Sequence, residues 1–310
     1  MLEKISQVFP GAIIRSNPIT DTKFLCFYDP TKNRYIGIPK QALTGREKRL
    51  LETILQPVHR STSPLNPYPM QEKWFAFLFG DGAIPVQKDG RMRFIHFSID
   101  FRIERDDFLQ AIQPIFHEGV MFIWIDDTNG VFIETESPNR LTSTDLLSFT
   151  EALLSDFYYS IAFYIGRFYQ IDENIKRHFH REQLYFQQAQ KYIPEEHVFS
   201  FETAFPIVLV TLDRQKIMEI LHDEWMDIFQ NDLQQLKMIK LFLENNSNVS
   251  LTAKELFLHR NSLQYRIEKF IEHSSIDIKS FPGALSIYFI CVFGQYLANN
   301  GLLQTDEKGD

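Results

Sequence analysis

The chain has 310 residues, 44% of them hydrophobic and 23% charged, with 29 phenylalanines and a formal net charge of -8. That profile excludes a disordered or collagen-like chain, and the acidic balance excludes a protein that coats nucleic acid by charge alone, so any DNA contact must be local. The length implies two or three domains, and two isolated cysteines, Cys26 and Cys291, exclude a disulfide framework or a zinc cluster and fit a reducing cytoplasm.

Met1-Leu2-Glu3-Lys4 leads into no apolar stretch of signal-peptide length, so a cytoplasmic protein is expected. Alternation at 23–28, a turn through Asp29-Pro30-Thr31-Lys32-Asn33 and a second apolar run at 35–38 predict a hairpin. Thr44 with Glu47 three residues later forms a capping box, opening a helix whose apolar stripe is Leu50, Leu51, Ile54 and Leu55. Residues 1–60 therefore read as a small α/β module. The stretch Ser61-Thr62-Ser63-Pro64-Leu65-Asn66-Pro67-Tyr68-Pro69 has too many prolines for helix or central strand, which sets a linker over 61–72.

A second region, 73–204, reads as strands at 74–79 and 93–99, a helix at 105–116, and strands at 120–125 and 131–134. The last two flank Asp126-Asp127-Thr128-Asn129-Gly130, whose Asn-Gly pair suits the positive φ angles of a hairpin turn. Ser143 then caps a helix carrying Leu146, Leu147, Phe149, Leu153 and Leu154, followed by a strand at 160–165, a long helix at 173–192 and a short strand at 197–201. Strands alternating with helices around one hairpin imply a mixed α/β sheet.

Beyond this the pattern is helical. Ile217, Ile220, Leu221 and Trp225 share a stripe within a connector at 205–231; Leu236, Ile239, Leu241 and Leu243 open an all-α domain at 232–300, before a polar tail at 301–310. The stretch 281–297 approaches membrane-span hydrophobicity, but Pro282, Gly283, Ser286, Gly294 and Gln295 interrupt it, so a buried helix and no membrane contact are expected.

Residues 251–271 fit two short helices crossing steeply, with small Ala253 at the crossing. Leu256 and Leu258 before the turn, with Leu263, Ile267 and Phe270 after it, form the inward face. Outward, at the start of the second helix, stand His259, Arg260, Asn261, Ser262, Gln264, Tyr265 and Arg266, all hydrogen-bonding types of the kind a recognition helix offers to the major groove. Gln264 suits an adenine edge, Arg260 a guanine or a phosphate, and Ser262 a phosphate at the helix N-terminus. Six basic residues against four acidic over 232–271 give only a small local positive excess, so a homodimer reading two half-sites in double-stranded DNA is expected. Spacing alone is also compatible with two amphipathic helices of an ordinary bundle.

The run Ala253-Lys254-Glu255-Leu256-Phe257-Leu258-His259-Arg260-Asn261-Ser262-Leu263-Gln264-Tyr265-Arg266-Ile267 resembles the C-terminal, Fis-like helix-turn-helix signature of the PucR/CdaR family of bacterial transcriptional regulators. The resemblance spans about 233–297 and includes the helix at 233–244, Asp277-Ile278 and the apolar helix at 284–297. Ser262 stands where threonine is usual, Gln264 where arginine is frequent, and Ser275 where glycine is usual. The order of elements over 93–201 is similar to the degenerate diguanylate-cyclase-like domain that such regulators carry, with Ile161-Ala162-Phe163-Tyr164-Ile165-Gly166, the long helix and Val198-Phe199 as its second half; His178-Phe179 and Glu182 depart from the family pattern.

An active cyclase carries Gly-Gly-Asp/Glu-Glu-Phe on its central hairpin, and here the hairpin has Asp126-Asp127-Thr128-Asn129-Gly130, which reads as a solvated turn. His178 and His180, two apart on a helix, point in different directions and do not form a metal pair. Trp74-Phe75-Ala76-Phe77 and Phe157-Tyr158-Tyr159 read as core. With no phosphate loop, nucleophile elbow or zinc-protease helix, no catalytic or metal residue and no cofactor is expected, and the sequence singles out no ligand-binding residues. The expected function is a dimeric, DNA-binding regulator whose N-terminal and middle regions sense a small-molecule effector or a partner. The alternative is a nucleotide-binding or nucleotide-processing protein that uses the cyclase-like domain, with the C-terminal helices serving oligomerisation.

Overall fold

The computed structural model describes residues 2–15, 23–29, 32, 34–58, 69–86, 90–100, 108, 112, 120–157 and 159–302. The alternation near the N-terminus pairs β2 (Phe24–Asp29) with β3 (Arg34–Pro39), with β1 (Ile13–Arg15) and β4 (Gln56–Val58) completing an antiparallel sheet in the order β1-β3-β2-β4. Pro30, Thr31 and Asn33 of the expected turn, and most of the 61–72 linker, lie outside the described residues. Helix α1 (Leu2–Val8) and α2 (Gly45–Ile54) cover the sheet, and α2 opens on the Thr44–Glu47 capping box. Only Leu51 and Leu55 of the expected stripe reach the core, beside Phe27, Ile36 and Ile38; Leu50 and Ile54 are exposed, because so small a sheet covers one narrow i, i+4 face.

The second sheet runs β10-β8-β5-β7-β6, with short β9 pairing β5. Its members are β5 (Arg91–Ile99), β6 (Met121–Trp124), β7 (Asn129–Thr135), β8 (Ile161–Ile165), β9 (Tyr169–Gln170) and β10 (Val198–Ser200); β10 and β8 are parallel and the other pairs antiparallel. Strand β5 is buried on both faces, and alternation sorts its side chains: Ile95, Phe97 and Ile99 face one core, Met92 and Phe94 the other. Along the chain this region runs strand, hairpin, helix, the two strands β8 and β9, long helix, strand. The helix expected over 105–116 lies outside the described residues except for Phe108 and Ile112, which are helical and buried.

Three expectations need correction. Residues 74–79 are not a strand but the end of helix α3 (Pro69–Phe79). Their aromatic content favours strands locally, but Trp74, Phe77 and Leu78, at helical spacing, are buried against Met92, Phe94 and Val131, and that tertiary burial overrides propensity. Next, Asn129 and Gly130 do not make the turn: they belong to β7, and neither has positive φ. The turn is closed instead by Asp126, whose carboxylate accepts from Thr128 N and Asn129 N at 2.8 Å each. Gly130 serves a close approach, since a β-carbon there would lie 2.2 Å from the Phe97 ring. Finally, helix α4 (Ser143–Phe157) is capped by Thr142, not Ser143: Asp145 N donates to Thr142 Oγ1 and Thr142 N to Asp145 Oδ2. Leu147 and Leu154 of its expected stripe are exposed.

Helix α5 (Ile175–Tyr192) spans the second face of the sheet, and from there the chain is helical: α6 (Phe201–Thr211), α7 (Arg214–Phe229), α8 (Leu233–Glu244), α9 (Val249–Glu255), α10 (Arg260–Ser274) and α11 (Phe281–Asn299). One continuous apolar core runs from Tyr164 of β8 through Tyr185 and Ala189 of α5 and Trp225 of α7 to Ile267 of α10 and Leu297 of α11. The helical third is thus packed directly onto the α/β part, with 205–231 inside the shared core. Helix α11 is long and apolar enough to cross a membrane by length and composition, yet Ile287, Ile290, Cys291 and Phe293 are buried in this core and Gly294 lies against Trp225 and Leu236. The tail at 303–310 lies outside the described residues.

Candidate nucleic-acid interface

Local sequence builds the two helices of the candidate site. Asn248 caps α9 by accepting from Leu251 N at 3.0 Å. The helix ends as Leu258 N donates to Ala253 O (2.8 Å) and Phe257 N to Lys254 O (3.3 Å). That pair is a Schellman stop, with Phe257 in the left-handed region at φ 55°. His259 then caps α10, its Nδ1 accepting from Asn261 N at 3.2 Å. Ala253 is buried at the crossing, together with Leu263, Ile267 and Phe270; Leu256 is half-buried against the same core, and Leu258 is half-buried.

Of the polar residues singled out by spacing, His259, Arg260, Asn261, Ser262, Tyr265 and Arg266 are exposed, so one side of the first two turns of α10 is free of packing. Gln264 is half-buried, and its amide donates to Glu268 at 2.7 Å, four residues on along the helix. Lys269 pairs with Glu272 and Lys240 with Glu244, whereas Arg260 and Arg266 enter no ion pair among the described residues. Their charge stays available to an anionic ligand. Such a face can hydrogen-bond base edges and neutralise phosphates.

The far end of α10 is held by a residue that sequence reasoning passed over. Arg91, the first residue of β5, donates to Glu272 O (3.0 Å), His273 O (3.1 Å), Ser275 Oγ (2.9 Å) and Phe168 O (2.7 Å). The last carbonyls of a helix lack partners within it and sit at its negative end, so a guanidinium there both satisfies hydrogen bonds and complements the dipole. Ser275, where the family resemblance expects glycine, keeps the left-handed conformation at φ 58° and adds a hydroxyl for Arg91.

A buried ionic network joins α7 to α5 and to the loop after β8. Glu224, fully buried, accepts hydrogen bonds from Arg167 Nη2 at 2.5 Å and Tyr185 Oη at 2.8 Å and forms an ion pair with Arg181, whose Nε lies 2.9 Å away. Asp227 receives Arg181 at 2.5 Å and Arg177 at 2.9 Å. Burial, the largest single effect, opposes the Arg167 charge, but Glu224 together with Tyr169 and Asp227 outweighs that penalty and holds the guanidinium above its ordinary value. Next to the network Glu182 accepts from Arg167 N and Tyr169 Oη through one oxygen. Its other oxygen and His96 Nε2, 3.9 Å apart, find no hydrogen-bond partner among the described residues. Burial pushes the Glu182 carboxyl up to about 7 and holds His96 down to about 3. A sequence signal did exist: Glu182 and Glu224 fall on otherwise buried helical stripes, where a charge demands a partner.

His178 stacks on Tyr169 at 4.0 Å and lies near Asp227, whereas His180 meets Leu78 O at 2.9 Å, so the two rings point to different neighbours. His178 is buried and His180 half-buried. Trp74, Phe75 and Phe77 are core, Tyr159 packs on the edge of another cluster, and Tyr158 lies outside the described residues. Among the described residues no group of three or more His, Cys, Asp or Glu side chains gathers as a metal site.

Comparison with known proteins agrees on the C-terminal region. Residues 235–292 match the PucR C-terminal helix-turn-helix domain. The chain is 41% identical to YxkF of Bacillus subtilis (strain 168) over 291 residues, covering 94% of this chain and 98% of that one. It is 20% identical to the Leucine-rich protein of Streptococcus dysgalactiae subsp. equisimilis, covering 92% of this chain and 98% of the relative. Over 59 residues, 19% of this chain and 14% of the relative, it is 34% identical to the proline-responsive transcriptional activator PutR of Bacillus subtilis (strain 168). Among solved structures it matches a regulator of polyketide synthase expression from Bifidobacterium adolescentis at 16% identity and a TM-score of 0.36, covering 68% of this chain and 82% of that one.

Proposed function

Since the chain belongs to the PucR family of helix-turn-helix transcriptional regulators, we propose that it binds double-stranded DNA sequence-specifically as a homodimer, with α10 as the recognition helix in the major groove. The observation that carries this reading is the exposed run His259, Arg260, Asn261, Ser262, Tyr265 and Arg266 on a helix whose opposite face is buried at Leu263, Ile267 and Phe270. In this reading Arg260 meets guanine or phosphate and Ser262 a phosphate beside the helix N-terminus; Gln264 leaves Glu268 to meet an adenine edge. The small local positive excess makes one module a weak binder, and two copies spanning half-sites about 34–36 Å apart supply the rest.

The unit 232–300 is the DNA-binding part, 73–204 and 1–60 are the sensing part, and 205–231 connects them. A small-molecule effector or a partner acts on the sensing part. The Asp126 carboxylate is engaged by its own turn, which supports a regulator without cyclase activity, acting in the cytoplasm.

The test is a genome-wide binding map of the full chain against the doubly substituted Arg260→Ala, Tyr265→Ala protein. Loss of the specific peaks is expected. Unchanged peaks in the variant, or GTP turnover with magnesium by a wild-type protein that binds no DNA, would overturn the reading.

A further inference from the structure

The turn between α9 and α10 contains a side chain that does nothing for the fold. Phe257 occupies the left-handed position of the Schellman stop at φ 55°, where glycine is favoured and a β-carbon is disfavoured. A bulky residue in such a conformation is an outlier, and Phe257 is also 96% exposed, more than any other large apolar side chain among the described residues. Backbone strain and a wetted ring both oppose folding, and no aromatic or cation contact among the described residues offsets them. Phe257 stands two residues before His259, the cap of α10, and three to five residues before the exposed Arg260, Asn261 and Ser262.

We propose that Phe257 is a DNA-contacting, specificity-determining residue, its ring packing on the C5-methyl group of a thymine at the edge of the half-site read by α10. Phenylalanine is one of the few side chains suited to that methyl, which marks thymine in the major groove. The turn leading into a recognition helix lies beside the groove that the helix N-terminus enters. Charge gives α10 its attraction to phosphate; Phe257 adds an uncharged term that depends on sequence. This inference rests on the DNA-binding reading above.

The experiment begins by recovering duplexes from a randomised library with the full-length wild-type protein. The recovered duplex is then titrated with wild-type protein and with Phe257→Gly. The same duplex is also titrated with each thymine replaced in turn by deoxyuridine, which lacks only the methyl group. Phe257→Gly is expected to melt at or above the wild-type temperature, because glycine fits the left-handed turn, and to bind about tenfold more weakly. One deoxyuridine replacement is expected to weaken wild type several-fold and leave Phe257→Gly unchanged. Phe257→Leu, which keeps an apolar side chain, should fall between the two. Equal affinity of wild type and Phe257→Gly overturns the proposal, as does a weaker variant with no thymine whose methyl distinguishes the two proteins. Failure of the wild-type protein to enrich any duplex overturns the helix-turn-helix reading itself, an outcome distinct from the other two.

Discussion

Arg91 and Ser275 are 184 positions apart, yet the guanidinium of one donates to the hydroxyl of the other at 2.9 Å and, in the same grip, to the carbonyls of Glu272 and His273. A residue at the start of a sheet strand therefore finishes the candidate recognition helix. Any movement of that strand, or of the Phe168 carbonyl that shares the guanidinium, reaches the end of α10. The contact ties the first strand of the second sheet directly to the end of α10, beside the apolar core that the two parts share.

Arg91→Ala should leave the fold intact while loosening that end. Hydrogen bonds from a charged donor contribute about 1.5–3 kcal/mol, reduced here because the side chain is partly solvated, so a loss of about 1–2 kcal/mol is expected. Hydrogen exchange should speed up selectively at the amides of 271–275, and Arg91→Lys, a single point donor, should restore only part of the protection. Uniform acceleration across the protein would show that Arg91 supports the fold generally and not this helix end.

Glu224 is the shared anion of Arg167 and Arg181, and all three are buried. Glu224→Gln keeps the shape but leaves guanidinium charge undercompensated, and removing one partner of a buried pair is destabilising by about 3–5 kcal/mol. Urea unfolding should show a lower midpoint with an unchanged slope. A shift equivalent to less than about 1 kcal/mol would mean that water reaches the network.

Stability should vary with pH in two opposed ways. His96, His178 and His180 are held down to about 3, 2 and 4, in each case chiefly by burial. The unfolded chain therefore takes up protons that the folded one refuses, and the stability these groups allow above about 6.5 is lost as pH falls through that window. Glu182, pushed up to about 7 by burial, acts oppositely: its contribution is present below about 4.5 and lost as pH rises through 7. Three groups outweigh one, so acidification from 6.5 to 4 should destabilise the protein. Glu182→Gln keeps the acceptor that serves Arg167 N and Tyr169 Oη; it should raise stability at pH 8 and steepen the acid loss. Melting curves across pH 4–8 for the two proteins decide this, and a variant less stable than wild type at pH 8 would contradict it.

Gly294 and Gly45 should respond in opposite senses to alanine. A β-carbon at Gly294 would lie 2.6 Å from Leu236 Cδ1 and from the Trp225 ring, whereas one at Gly45 meets nothing within 4 Å. Overpacking of about 1–3 kcal/mol exceeds the roughly 1 kcal/mol that alanine gains over glycine in a helix, so Gly294→Ala should lower the melting temperature. Gly45→Ala, at the start of α2, should hold it or raise it. A stabilised Gly294→Ala would show that α11 can shift away from α7.

What the sequence by itself determined are the features encoded within a few residues of one another. Thr44 and Glu47 announce α2, and Ala253 with Leu263, Ile267 and Phe270 lays out the helix crossing with its buried face. The 259–266 run marks the outer face, and the match to the PucR helix-turn-helix over 235–292 falls on that same stretch. Caps and helical periodicity are local chemistry, so a single chain displays them. Only the tertiary structure decided the remainder. Trp74, Phe77 and Leu78 become helix because the sheet face offers them burial; Gly130 is kept for the ring of Phe97 across the ladder; Arg91 and Glu224 find partners far along the chain. Each of these outcomes depends on which surfaces meet, and no spacing within a segment encodes that. The 251–271 segment announced its own two helices, but the guanidinium that grips the end of α10 comes from the first strand of the second sheet.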